Sequence, residues 1–346
     1  MEVTRLGTTR QLCVPVVEAT QVGEARRAAT KIAQDAGFSE VRSGEVAIVA
    51  TELATNLSRY GQDGRLLVQS LTAGGGSFVE LLAVDRGPGV ADLQRCLRDG
   101  FSSGGTAGAG LGAVRRLSAT FDIHSTPGAG TVVLSRVAGH EEAAFDAMFE
   151  WGAISTAALH EHVCGDAWRI VERDGAIAVM VADGLGHGPL AAEAALLAAT
   201  AFEEHAFDDP AAFFAHAQSA LTSSRGAAVA AGHILPSGAV RYAGIGNISG
   251  SIVSDTDSRG LVSHNGTVGL TGRKAQTLEY RCPSGAMLIM HSDGMSSRWT
   301  LTGSSDGLLA RHPATIAALL HRDYKRGRDD ATVVVVRHLR ERRAPR

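Results

Sequence analysis

The stretch "MVADGLGHGP", residues 180–189, decides the reading of the C-terminal half. An apolar run ends on Asp183, and Gly184, Gly186 and Gly188 follow at once, with His187 among them. The run reads as a buried strand. Its carboxylate is therefore delivered to a sheet end, where the glycines let the backbone turn and keep the space around it open. The device recurs at Asp293, which closes the run "AMLIMHS" and precedes Gly294. Asp166 stands at the start of "AWRIVER", and Asp329 and Asp330 at the start of "ATVVVVRHL". In an antiparallel sheet the end of one strand lies beside the start of the next, so these aspartates can gather at one edge. Carboxylates held together repel, and their pKa values climb unless a cation neutralises them. An all-oxygen donor set selects Mg²⁺ or Mn²⁺, and the Gly184 carbonyl is a further candidate ligand. Asp174-Gly175, by contrast, reads as a plain hairpin turn. His187 reads equally as a general acid and as a residue packed in the turn.

The whole chain, 346 residues with net charge −3, has room for two ordinary domains and shows no basic excess that would favour nucleic acid. Its four cysteines form no CxxC pair, which fits a reducing compartment and no structural zinc. No apolar run is long enough for a membrane span, and the first residues lack a basic-then-apolar signal pattern, so the expected location is cytoplasmic. The ending "RERRAPR" (340–346) reads as a solvated basic tail.

Between these ends, strands are expected in "AIAVMVA", "AAVAAGHIL", "AVRYAG" and "ISGSIVS", besides the aspartate-bearing runs. One helix is expected from Pro189 and another from Asp209-Pro210. The segments "CGDAW", "VADGLGHG", "AGIGNISG", "RGLVSHNGTVG", "HSDGMSSRW" and "GRDDATVVVV" together resemble the metal-dependent serine/threonine phosphatases, in their SpoIIE/RsbX-like bacterial branch. That resemblance implies a PPM-type αββα sandwich over residues 151–338 holding two Mn²⁺ or Mg²⁺ ions. The implied ligands are Asp166, Asp183 with the Gly184 carbonyl, Asp293 and Asp329, with Asp330 the second choice in the "DDAT" motif. Asp183 and Asp293 are the implied catalytic residues. Val163 and Cys164 stand where relatives often carry an acidic residue, and no phosphate-clamping arginine is assigned.

The N-terminal half expects helices in "QVGEARRAATKIAQDAG", closed by Gly37, and in "SGEVAIVATELATNLSRYG". In the second, Glu52 and Asn56 share one face beside an apolar stripe. "VDRGPG" puts Asp85 at a strand end, ahead of the glycine-rich "SSGGTAGAGLGAVRRLS", whose backbone suits phosphates. No strand precedes "GAGLGA", which argues against a dinucleotide fingerprint, and no Walker A lysine is present. The order ExxxN, DxGxG, GxGxG and "GTVV" resembles the GHKL (Bergerat) ATP-binding fold, closest to the RsbT/RsbW group of serine kinases. The resemblance implies that Asn56 holds Mg²⁺, Asp85 reads adenine beside Gly87 and Gly89, and Thr131 lies near the base. It likewise implies that Gly108, Gly110 and Gly112 form the phosphate lid, and that Glu52 is the general base for ATP-dependent transfer.

The expected organisation is an α/β (α+β) chain. A GHKL kinase domain (1–138) is followed by a linker (139–150), a phosphatase domain (151–338) and a tail (339–346). The two resemblances imply a bacterial partner-switching regulator acting on STAS-domain proteins of the stressosome or anti-anti-sigma type. The alternative is an ATP-binding anti-sigma-type clamp without kinase turnover, fused to a working phosphatase.

Overall fold

The computed structural model describes residues 4–6, 11–73, 76–90, 92–93, 110–140, 148–270, 272, 274–303 and 307–339. They form two compact units, Gly7–Phe145 and Met1–Leu6 with Asp146–Arg346. The boundaries differ from those read in the sequence. Strand β1 (Thr4–Leu6) pairs with β8 (Asp166–Arg173) of the second unit, and strand β7 (Phe149–Thr156) already begins within the expected linker. A three-residue edge strand is too short to carry a period, and in β7 Glu150 and Gly152 interrupt the apolar run.

The first unit is a five-stranded antiparallel sheet of order β2-β3-β4-β6-β5. Its strands are β2 (Leu12–Pro15), β3 (Arg65–Ala73), β4 (Gly76–Val84), β5 (Thr120–Ser125) and β6 (Thr131–Ala138). Helices α1 (Gln21–Asp35) and α2 (Glu40–Tyr60) pack together and against the sheet, and α3 (Gly110–Leu117) packs on α2. The α2 stripe Val46, Val49, Leu53 and Leu57 is buried with Leu66, Val68, Val79 and Leu81 of the sheet, as its spacing requires. Gly37 ends α1 at φ 79°, the left-handed turn that favours glycine, while Phe38 N–H returns to Ala33 O. Helix α2 starts before the expected Ser43, because Ser39 caps it by accepting from Arg42 N–H.

The second unit has two facing sheets. One has the order β1-β8-β9-β10-β11-β14, the other β13-β12-β15-β16-β7. The remaining strands are β9 (Ala176–Gly184), β10 (Ala227–Ile234), β11 (Ala239–Ile245), β12 (Ser249–Val253), β13 (Ser258–Leu261), β14 (Leu278–Arg281), β15 (Met287–His291) and β16 (Ala331–His338). Helices α4 (Pro189–His205) and α5 (Pro210–Ala220) cover the first sheet. Helix α6 (Pro313–Tyr324), which no sequence expectation included, covers β7 and β16 of the second. It is buried nearly all round and so lacks the two-faced pattern by which a surface helix is read. Between the sheets Trp151 of β7 meets Trp168 of β8 at 5.9 Å between ring centroids. The β8–β9 hairpin turns at Asp174-Gly175 with both φ positive, the conformation a two-residue turn requires.

Gly152 of β7 lies under α6 so closely that a Cβ there would stand 2.2 Å from Ala314 Cα and 2.3 Å from its N. Gly152→Ala is expected to destabilise the second unit by about 2–3 kcal/mol, the cost of overpacking against backbone. All three tryptophans (Trp151, Trp168, Trp299) belong to this unit, so urea unfolding followed by tryptophan fluorescence isolates its transition. An unchanged midpoint would contradict the packing.

Candidate functional sites

The antiparallel register sets Asp166 directly opposite Asp183 at the end of the first sheet. At the same end, β15 runs out through Ser292 into Asp293, and Asp329 and Asp330 lead into β16. Ser292 holds the two sheets' ends together. Its hydroxyl donates to Asp166 Oδ2 (2.7 Å) and accepts from Thr332 N–H (3.0 Å). The strand-end aspartates read in the sequence are therefore brought together. Asp330 is buried, and its Oδ1 accepts from Ala158 N–H at 2.8 Å. Asp329 is exposed at the mouth and accepts from Asp330 N–H through its own Oδ1.

The charges oppose one another. Burial, reinforced by Asp166, Asp293, Asp329 and Asp330, pushes the Asp183 carboxyl up to about 9. Burial also raises Asp166, to about 7, against the hydrogen bonds from Ser292 and Thr332 that favour its ionised form. Asp293 is raised by burial and by Asp329, while Arg326 and Asn247 pull it back. Asp166 Oδ1 is buried without a hydrogen-bond partner. An oxygen-only cluster with an orphaned buried carboxylate oxygen fits hard divalent cations, which would relieve the repulsion. Burial, with Asp166 beside it, raises the Cys164 thiol well above its usual range.

The glycines have a different role from the one expected. A Cβ on Gly184 would lie 2.0 Å from Ala191 O of α4, and one on Gly294 1.8 Å from Asp330 O. They do not keep space open. They let backbone press against the aspartate-bearing loops from outside the cluster. Gly186 and Gly188, at φ 91° and 76°, carry the chain back into α4. His187 is exposed and pairs with Glu161, Nδ1 to Oε1 at 2.7 Å, which fixes the loop rather than packing a core.

Sequence reasoning gave no role to several groups around this cluster. Asn247, inside the quoted "AGIGNISG", donates through Nδ2 to Asp293 Oδ2 at 2.7 Å. Arg326 is exposed, and its N–H donates to Gly294 O (2.9 Å) while its charge bears on Asp293. An Arg225 terminal nitrogen would stand 3.2 Å from a Cβ on Gly186. Beside Asn247 lies a polar cleft of about 320 Å³, lined by Ser249, Ser251, Ser263, His291 and Trp299. Cations and amides of this kind follow no local pattern; only the assembled loops reveal them.

In the first unit, Asp85 leaves β4 into a turn crowded by backbone. Gly87 N–H donates to Asp85 Oδ1 (2.7 Å), and Asp85 N–H to Thr131 O (3.0 Å). Added Cβ atoms would meet Asp85 O at 2.1 Å from Gly130 and Thr126 O at 2.3 Å from Gly89. Thr131 shares a hydrogen bond with Ser125 Oγ at 2.8 Å. Glu52 and Asn56 are half-buried one turn apart on α2, and a Cβ on Gly110 would lie 3.3 Å from Glu52 Oε2. The Glu52 carboxylate thus stands at the start of α3, where the helix dipole favours an anion. Gly110 and Gly112 belong to α3 itself rather than to a loop, and Gly112 is buried. Gly108 lies outside the described residues.

These two constructions define a nucleotide-binding domain of the histidine kinase-like class joined to a PP2C-like sandwich. Residues 16–136 match the histidine kinase-like ATPase domain family, and residues 173–339 the stage II sporulation protein E (SpoIIE) family. Over 123 residues the chain is 32% identical to the serine/threonine-protein kinase RsbT of Bacillus subtilis (strain 168), covering 36% of this chain and 92% of that protein. The chain belongs to the RsbT family of protein serine/threonine kinases and carries a PP2C-type phosphatase domain in addition. It joins a kinase domain and a phosphatase domain in one chain. A solved structure from work on the bacterial stressosome is 28% identical, at TM-score 0.50, over 55% of this chain and 99% of that one. RsbX in complex with magnesium is 22% identical, at TM-score 0.49, over 56% of this chain and 97% of that one. Among the described residues no helix is long and apolar enough to cross a membrane.

Without metal, the carboxylate cluster makes stability pH-dependent with a definite sign. Asp183 is raised from 3.8 to about 9 on folding, so its contribution is full below the unfolded value and is lost as pH rises towards about 9. Metal-free protein is expected to melt at falling temperatures as pH rises through that window. Asp183→Asn should flatten the trend, and added Mn²⁺ should abolish it. Calorimetry of the metal-free protein showing a melting temperature that climbs with pH would refute the arrangement.

Proposed function

We propose that one chain sets the phosphorylation level of a STAS-domain partner from both directions. The first unit transfers phosphate from ATP to a serine or threonine, and the second removes it. The observation that carries the hydrolytic half is the convergence of Asp166, Asp183, Asp293 and Asp329 at one end of the sandwich, with Asp166 Oδ1 left unsatisfied. The RsbT relationship and the stressosome-derived structural neighbour support the choice of partner class.

In the second unit, Asp166, Asp183 with the Gly184 carbonyl, Asp293 and Asp329 would hold two divalent ions, Mn²⁺ or Mg²⁺. Bound there, the ions supply Lewis acidity and water activation at neutral pH. Asn247 orients Asp293 by its amide hydrogen bond. Arg326 and Arg225 present cationic groups at the rim, suited to a phosphate dianion. The serine-lined cleft beside Asn247 offers room for the residues flanking a phosphoserine. In the first unit Asn56 would ligate Mg²⁺, and Asp85, fixed by Gly87 N–H, would read the adenine amine. Glu52 would accept the proton of the attacking hydroxyl.

Two measurements test the halves separately. Asp183→Asn and Asp293→Asn should each lower Mn²⁺-dependent phosphate release from a phosphorylated STAS protein by at least about 100-fold, the effect of losing an electrostatic stabiliser. Unchanged release from both would defeat the ligand assignment. Glu52→Ala should abolish transfer of label from ATP to the unphosphorylated partner while leaving nucleotide affinity intact. Labelling by this variant at the wild-type rate would remove Glu52 from the chemistry, and absence of labelling by wild type would favour the clamp.

A further inference from the structure

Helix α4, 17 residues long, begins beside the acidic cluster and ends at His205, about 25 Å away along its axis. At that far end a second group of donors gathers. His205 Nδ1 lies 2.9 Å from Asp208 Oδ2, and the His205 ring stacks on His216 of α5 with centroids 3.5 Å apart and planes 10° apart. One donor atom from each of His205, Asp208 and His216 can be chosen so that all lie within 4.8 Å of one another. We propose that these three side chains form a transition-metal site, for Zn²⁺ or an ion of similar preference, separate from the oxygen cage of the phosphatase centre.

The donor chemistry separates the two sites. Imidazole suits Zn²⁺, Co²⁺, Ni²⁺ and Cu²⁺, whereas Mg²⁺ seeks oxygen. A nitrogen–nitrogen–oxygen set with an open position matches the three-ligand form of zinc coordination, water completing the tetrahedron. The position favours a cation, because His205 is the last residue of α4, where the helix presents the negative end of its dipole. Neighbouring groups leave Asp208 available. Asp209 caps α5 through Ala211 N–H and accepts from Thr277 Oγ1, so the α5 start has its own carboxylate. His216 and Asp208 are exposed and His205 half-buried, so an ion can enter without unfolding. Ligands about 2 Å from one ion stand closer together than 4.8 Å, so binding draws the donors inward and splays the stacked rings. The ion would pin the short α4–α5 connection, residues 206–209.

The test uses the full chain without a histidine tag, in excess Mg²⁺ so that the oxygen cage does not take up zinc. Equilibrium dialysis with metal analysis should find one Zn²⁺ per chain in wild type and also in Asp183→Asn. His216→Ala and His205→Ala should each lose it, with affinity falling at least about tenfold. Co²⁺ substitution should give the visible absorption of a tetrahedral nitrogen-oxygen site in wild type, and none in His216→Ala. His216 is exposed and its variant is expected to fold; far-ultraviolet circular dichroism checks this. No zinc in wild type under these conditions overturns the proposal. So does zinc retained at wild-type affinity by both histidine variants, as a cysteine-bound ion would be. Failure here leaves the oxygen cage untouched, since that cage is tested through Asp183 and Asp293.

Discussion

Mutual repulsion among carboxylates held at one end of a sandwich is the constraint on which the second unit turns. The fold works against it. Two sheets with separate strand orders must present their ends at the same place, and Ser292 joins them by bonding both Asp166 and the Thr332 backbone. The site is thereby built in a high-energy state for the bare chain. Burial alone raises Asp183 and Asp166, and each further carboxylate adds to the rise. A group pushed that far is either protonated or neutralised by a cation, and only the second condition leaves it an effective ligand at neutral pH. The electrostatic cost of folding and the affinity for divalent ions are one quantity seen from two sides.

The nucleotide half uses a different device. Close-packed backbone surrounds Asp85. Gly87, Gly89 and Gly130 stand where side chains would collide with Tyr60 O, Thr126 O and Asp85 O, and Gly61 brings the end of α2 against the Asp85 Cβ. The carboxylate sits where side-chain volume is excluded, and its Oδ1 accepts the N–H of Gly87. Charge crowding selects a cation; close backbone selects a flat ring that must fit a narrow space with few directed hydrogen bonds. One chain thus carries both solutions, in separate compact units.

What could be read from the sequence follows from this contrast. Strand-end aspartates were legible, because a carboxylate that ends an apolar run is a local pattern and antiparallel pairing carries it to a predictable edge. Helices α1, α2, α4 and α5 were legible from their periodicity and their cap residues. The glycines were legible as positions of special backbone, yet their purpose was misread. Whether Gly184 faces open space or Ala191 O depends on where α4 lands, and no neighbour in sequence records that. Asn247, Arg326 and the Ser292 bridge were hidden for the same reason, since each acts across a gap between loops remote in the chain. Helix α6 escaped because uniform burial erases the polar face that marks a helix.

Asp329 and Asp330 are neighbours in sequence but differ in their surroundings. Sequence alone presents two adjacent carboxylates, and adjacent residues entering a strand point to opposite sides. Asp330 turns inward, spends Oδ1 on Ala158 N–H and sits 3% exposed, so one of its oxygens is committed to holding the β7 end in place. Asp329 faces the mouth, where its charge bears on Asp293 and Asp183. A ligand must combine nearness to the other carboxylates with an oxygen able to leave its present partner. Asp329 accepts from the neighbouring Asp330 N–H, a bond solvent can replace, whereas Asp330 keeps Oδ1 on the Ala158 N–H and has Oδ2 buried without a hydrogen-bond partner. On this asymmetry rests the proposal of Asp329 as the ligand, with Asp330 Oδ1 tying the residues that follow β7.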